Sequence, residues 1–208
     1  RFMWLSLSTG GAGTIATTNL EGGIKKVEFK YARFGSEYST KSGSEISGRS
    51  LQLKVSAGTT EQRTDSYENN DLVSRESGYE LFTGNFEIKS NVQLTITNIS
   101  DHTEDLTNKG ICRINIGDIT ITPYLRYMQK SVTIGLPNKG YINRNLLDQI
   151  DEGHTITYSI EDESVAEINS STGAITPKAA GTTIVKATWT EEGAYTTYKL
   201  NVVDNQYL

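Results

Sequence analysis

Cysteine occurs once, histidine twice and proline three times in this chain of 208 residues. A lone thiol closes no intrachain disulfide and builds no thiolate-rich metal site. Cys112 stands in an apolar run, which predicts a buried, inert side chain. The two histidines, His102 and His154, have no nucleophile motif beside them, so the base-and-nucleophile pairing of a hydrolytic triad is missing. No window of about 18 apolar residues exists, and no membrane-spanning helix is predicted. Lysine and arginine number 20 against 25 aspartates and glutamates. That net charge of −5 argues against a nucleic-acid partner, because phosphate binding needs a basic surface. Gly10-Gly11-Ala12-Gly13 lacks the lysine and the following helix of a phosphate-binding loop.

What is abundant points one way. Nineteen glycines, many threonines and serines and few apolar residues at helical spacing predict an all-β chain. The length suits two ordinary domains, each with its own core. Val27, Phe29 and Tyr31 alternate with Lys26, Glu28 and Lys30, which puts one face of a strand in a core and the other in water. Leu51, Leu53 and Val55 repeat the pattern, as do Val92, Leu94 and Ile96. Tyr79 to Phe82 and Phe86 to Ile88 read as two further strands. In the run from Ile111 to Thr122, Cys112, Ile114 and Ile116 share one parity while Ile119 and Ile121 share the other. An inserted residue is needed to reconcile them, and a β-bulge is placed at Gly117-Asp118. Residues 34–48, 57–77 and 98–109 are polar and read as loops. At least seven strands without helical crossovers predict two packed antiparallel sheets, a jelly-roll sandwich over residues 1–126.

Pro123 stops the last of these strands, and the apolar connector through Tyr124 and Tyr127 leads to a second domain, residues 127–208. Residues 143–150 offer either one turn of helical spacing, through Leu146, Leu147 and Ile150, or an irregular loop. The stretch from Ser164 to Ala187 reads as short strands joined by tight turns at Ser170–Gly173 and Ala180–Gly181. Ile156, Tyr158, Val165, Ile168, Ile175, Ile184, Ala187, Trp189, Leu200 and Val202 are expected to be buried together.

The motif Ser164-Val165-Ala166, Ile168, Gly173, Ile175-Thr176 and Gly181-Thr182-Thr183 resembles the signature of bacterial immunoglobulin-like domains of group 2, over roughly 130–204. Tyr158 stands where that family usually has a tryptophan. The resemblance implies an immunoglobulin-like sandwich without catalytic residues, from a secreted or surface-anchored protein. Gly22-Gly23-Ile24, Val27, Phe29 and Tyr31, with Arg113 to Ile121 far downstream, resemble the opening and closing strands of galactose-binding-like jelly-roll modules. Such modules occur in secreted or lipid-anchored Bacteroidetes proteins, where they bind glycans or space other domains apart. The opening Arg1-Phe2-Met3-Trp4-Leu5 already reads as a strand, as in a fragment whose export leader has been removed.

Together these readings give a non-enzymatic binding or adhesion module of a bacterial cell surface, whose ligand would be a glycan or a neighbouring surface protein held by the first domain. The alternative is an accessory fragment of a secreted glycosidase or nuclease whose catalytic domain lies elsewhere. Sugar binding on a sandwich uses rings that stack on a pyranose, with polar neighbours holding its hydroxyls. Tyr38 and Tyr67, in polar loops, are the candidate rings, with Arg33 and Asn69 as their polar partners. Tyr31 continues a buried parity and reads as core. No cofactor is expected. A structural calcium ion is the one metal for which loop carboxylates are at hand, at Asp65, Glu68, Asp71, Asp101 and Asp105, although they lack EF-hand spacing.

Overall fold

A computed structural model of the chain describes residues 3–5, 13–33, 50–68, 78–100, 114–136, 141–142, 147–149, 153 and 155–204. For residues 3–5, 33, 50, 68, 141, 142 and 149 it describes the backbone alone. Every regular element among the described residues is a strand. The fold is all-β, with several sheets, as the composition predicts. The chain divides into two compact units: residues 1–19, 26–86 and 93–122 form the first, and residues 20–25, 87–92 and 123–208 the second.

Among its described residues the first unit has ten strands: β1 (Met3–Leu5), β2 (Thr14–Leu20), β3 (Ile24–Arg33), β4 (Ser50–Leu51), β5 (Leu53–Ala57), β6 (Thr60–Arg63), β7 (Tyr67–Glu68), β8 (Glu80–Ile88), β9 (Val92–Asn98) and β10 (Ile114–Thr122). One sheet has the order β1-β10-β3-β8, a second has β2-β9-β5-β6, and β4 pairs with β7. Alternation decides which side chains are enclosed. Val27, Phe29 and Tyr31 on β3, Leu53, Val55 and Ala57 on β5, Leu94 and Ile96 on β9, and Phe82 and Phe86 on β8 are all buried. The Phe29 and Phe82 rings stack with centroids 4.7 Å apart.

The bulge falls where the parity flip requires it. Between Gly117 and Thr120 the β10 chain advances three residues while its partner β3 advances two, from Lys30 to Glu28. Asp118 takes the extra position at φ +53°, a conformation that aspartate tolerates better than most side chains. Its carboxylate meets the Lys30 ammonium at 2.9 Å, and that neighbour holds its pKa below the usual aspartate range.

Three sequence readings are corrected here. Part of the polar stretch 57–77 is not loop: Gly58-Thr59 makes a tight turn, and β6 pairs back on β5. Its polarity belongs to an edge strand, on which Glu61 and Arg63 face solvent. Residues 80–88 are one continuous strand and not two, with Glu87 at φ +52° near its end. Leu147–Gln149 is a strand and not a helix. Cys112 lies outside the described residues.

The second unit carries β11 (Leu125–Tyr127), β12 (Ser131–Leu136), β13 (Tyr141–Ile142), β14 (Leu147–Gln149), β15 (Ile156–Ile160), β16 (Ala166–Ile168), β17 (Ala174–Pro177), β18 (Gly181–Trp189) and β19 (Tyr195–Asp204). Its sheets are β12-β19-β18-β15, β13-β17-β16 and β11-β14. One apolar cluster draws on the first two of these and on β11: Val132, Ile134, Tyr158, Val165, Ala166, Ile175, Val185, Ala187, Tyr198, Leu200 and Val202, with Tyr127 packed edge-on to Tyr198 at 4.7 Å. Tyr158, Val165, Ile175, Ala187, Leu200 and Val202 are therefore buried together as expected. Ile184 is not in this set. It lies one residue out of phase with Ala187 and Trp189, and Val185 takes the inward position. Trp189 is buried, but in a separate small cluster with Tyr124, Ala194 and Ile156.

The turns of this unit follow from their residues. Asn169 accepts the amides of Ser171 and Thr172 with its side chain, at 3.0 and 2.9 Å, and Gly173 follows at φ +71°. This is an asparagine-nucleated turn closed by the residue best able to adopt a left-handed backbone. Asp162 plays the same part for Ser164.

A half-buried carboxylate, Glu21, is also part of the second unit. It accepts the Thr197 amide at 3.0 Å and the Thr197 hydroxyl at 2.7 Å, and Lys130 lies 3.3 Å away. Burial is the largest single influence and opposes ionisation, yet the Thr197 bonds and Lys130 together outweigh it and lower the pKa. A carboxylate with a lowered folded-state pKa contributes stability that is complete above its unfolded value, about 4.3, and is lost as pH falls through the folded value. Acid titration of the natural chain should therefore show a loss beginning near pH ~4.3. Glu21→Gln should remove that part of the pH dependence, as read by urea unfolding at a series of pH values. An unchanged acid limb in the variant would refute the assignment.

Candidate functional site

Strand direction brings one end of the first unit into focus. In one sheet, Leu5, Arg33 and Ile114 are level with each other. Glu80 begins β8 at this same end, two residues before Phe82 stacks on Phe29. In the other, Leu53 lies opposite Asn98, and the Asn98 amide donates to the Gly13 carbonyl at 2.9 Å. The described strands thus enter and leave residues 6–12, 34–49, 69–77 and 101–113 at this one end. The connections 21–23, 58–59 and 89–91 are short.

A buried polar network holds this rim. Thr64 accepts the Leu53 amide through its hydroxyl at 3.0 Å and the Gln52 side-chain amide through its carbonyl at 3.0 Å. Ser100 donates its hydroxyl to Asn98 Oδ1 at 2.6 Å and accepts the Gln52 amide at 3.1 Å. Thr64, Asn98 and Ser100 are all buried. Satisfied buried polar groups fix geometry, because each would lose a desolvated bond by moving.

Tyr67 stands at this end, in a strand and not in a loop. It pairs with Leu51, is half-buried, and its ring lies 6.3 Å from that of Tyr31. The Tyr31 hydroxyl donates to the Tyr67 hydroxyl at 3.4 Å. Burial, then the Tyr67 bond, then the nearby carboxylates of Asp65 and Glu80 push the Tyr31 pKa well above the usual tyrosine range. Tyr31 is accordingly a neutral phenol over the whole physiological range. Tyr31 itself is core, as its parity predicts. The partly exposed Tyr67 ring and its hydroxyl, with the Asp65 and Glu80 carboxylates near by, make a surface that can donate to, accept from and stack on a polyhydroxylated ligand, and the buried Tyr31 hydroxyl holds Tyr67 from beneath.

Of the other predicted site residues, Arg33 ends β3, with only its backbone described. Tyr38 and Asn69 lie outside the described residues. Asp65 is exposed. Of the remaining carboxylates considered for calcium, Glu68 is described by its backbone alone, and Asp71, Asp101 and Asp105 fall outside. Among the described residues no three histidine, cysteine or acidic side chains gather to hold a metal ion. Nor is any helix among them long and apolar enough to cross a membrane. Glu80 and Tyr31, which complete the rim around Tyr67, were not singled out as site residues from sequence. Their proximity depends on strand pairing, which leaves no local motif.

Compared with known proteins, the chain matches no protein-family model and no curated protein sequence.

Proposed function

We propose that this chain is a non-catalytic recognition module of an exported bacterial surface protein, a jelly-roll sandwich that binds carbohydrate at its rim, followed by an immunoglobulin-like domain of bacterial group 2. Strand order supports the jelly-roll reading. Leaving aside the two-residue strands β4 and β7, the first unit has eight strands among the described residues, and its pairs include first with eighth, second with seventh, third with sixth and fourth with fifth. A long antiparallel hairpin of eight segments, rolled up, gives this set of pairs. The order of the second unit supports the other half. β15, β18 and β19 stand as a three-stranded immunoglobulin sheet does, and β11-β14 with β13-β17-β16 stand as its four-stranded partner, the second strand being split into β13 and β14.

The observation that carries the functional reading is the rim at Tyr67. There the half-buried Tyr67 ring with its hydroxyl, and the Asp65 and Glu80 carboxylates, sit on a frame fixed by the Tyr31 hydroxyl and by buried hydrogen bonds. Little backbone entropy is lost when a ligand meets such a surface. A glycan-array screen of the intact chain tests the reading, with binding expected to neutral or amine-bearing sugars in view of Asp65 and Glu80. Tyr67→Ala should weaken that binding by about 0.5–1.5 kcal/mol for one lost stacked ring, measured by calorimetry on the captured glycan. Unchanged affinity would remove Tyr67 from the site. Hydrolysis of any polysaccharide by the purified chain would overturn the non-enzymatic assignment.

A further inference from the structure

The last strand of the second unit is longer than one of its neighbours. β19 runs from Tyr195 to Asp204, and β18 pairs along nearly all of it. On its other edge, β12 accompanies only Lys199 to Asp204. The backbone groups that Tyr195 and Thr197 turn to that edge need partners other than β12, because an open strand edge is both unsatisfied and a template for foreign strands.

The turns at 20–25 and 87–92 meet that need. Asn91 Oδ1 accepts the Tyr195 amide at 3.0 Å and the Gly22 amide at 3.1 Å. The Gly22 amide also donates to the Tyr195 carbonyl at 2.7 Å. Glu21 accepts the Thr197 amide at 3.0 Å. Two residues further, the Lys199 amide reaches the Lys130 carbonyl at 3.0 Å, where β12 takes over.

We infer that these two turns act as the edge partner that β12 is too short to provide, so that the first half of β19, and with it the second unit, keeps its native structure only while they are in place. The turns are the β2–β3 and β8–β9 connections, whose strands belong to the first unit. A second unit cut free near residues 123–127 would lack them. Folding of the second unit is therefore conditional on strands laid down a hundred residues earlier. This conditional folding is a property of the chain whatever the module binds.

Residue-resolved amide hydrogen exchange on the full chain tests this. In the double variant Asn91→Ala, Glu21→Ala, which removes both acceptors, the Tyr195 and Thr197 amides should lose about tenfold or more in protection, equivalent to about 1.4 kcal/mol, while Val55 and Ile96 amides are unchanged. The natural chain in rising urea gives a second measurement that needs no variant. The β19 amides should reach the opening that exposes β3 and β9 in the same step. Full protection of Tyr195 and Thr197 in the double variant would overturn the inference. So would β19 amides that stay protected in urea after β3 and β9 have lost their protection.

Discussion

Replacing Trp189 with alanine is expected to destabilise the second unit by about 3–5 kcal/mol, the usual cost of deleting an enclosed indole. The ring is only 6% exposed. It is enclosed by Tyr124, whose centroid is 5.8 Å away, by Ala194 and by Ile156, and the Lys89 ammonium lies 5.2 Å from its centroid. A hairpin holds it in place, with the Trp189 amide donating to Ala194 and the Gly193 amide to Trp189, both at 2.8 Å. Because alanine cannot fill the space and that hairpin limits collapse around it, a cavity term adds to the lost transfer energy. Urea unfolding followed by a probe in the second unit measures the change. A loss below about 1 kcal/mol would mean that the indole is not enclosed, since surface substitutions cost about that or less.

The position of Trp189 shows what a sequence can and cannot convey. Alternation along one strand is local, so Val27, Phe29 and Tyr31, or Leu200 and Val202, could be assigned to a core from their spacing alone. The same rule applied strictly to β18 selects Thr183, Val185 and Ala187 with Trp189. Ile184, expected in the core with Ala187 and Trp189, falls on the opposite parity and is only partly buried. The bulge at Gly117-Asp118 was legible because a phase flip leaves its mark within a few residues. The separate cluster around Trp189 was not, because it depends on Tyr124, which is 65 positions away and stands in a connector.

The candidate site was legible to a lesser degree. Tyr67 drew attention as a ring in a polar stretch, and that stretch does carry a partly exposed ring at the rim. Its partners Tyr31 and Glu80 come from β3 and β8, and only pairing brings them near. Glu21 and Asn91 were missed for the same reason. A side chain that caps the backbone of residues 104 or 176 positions distant belongs to no periodicity, and surface glutamates and asparagines are ordinarily just solvated. Position in the fold gives such residues their meaning.

Gly22 is where this non-local dependence should be most costly to disturb, and Gly22→Ala is expected to lose about 3 kcal/mol or more. Its backbone sits at φ +81°, a left-handed conformation that costs an L-residue with a Cβ about 1–2 kcal/mol. A Cβ there would also run into the carbonyl oxygen of Leu125. That carbonyl cannot step aside freely, because the Tyr124 and Leu125 amides donate to the Gly22 carbonyl at 2.9 and 3.2 Å. Any shift would also disturb the Gly22 amide and its bonds to Tyr195 and Asn91. Gly193 provides the comparison: at φ +79° its backbone is alike, but no atom lies within 4 Å of its Cβ position. Gly193→Ala should therefore show the conformational cost alone, about 1–2 kcal/mol. The difference between the two variants, measured by urea unfolding under one set of conditions, isolates the steric part. Equal losses would show that the turn yields to a methyl group without cost, and that the close approach of Gly22 to Leu125 is not what holds it.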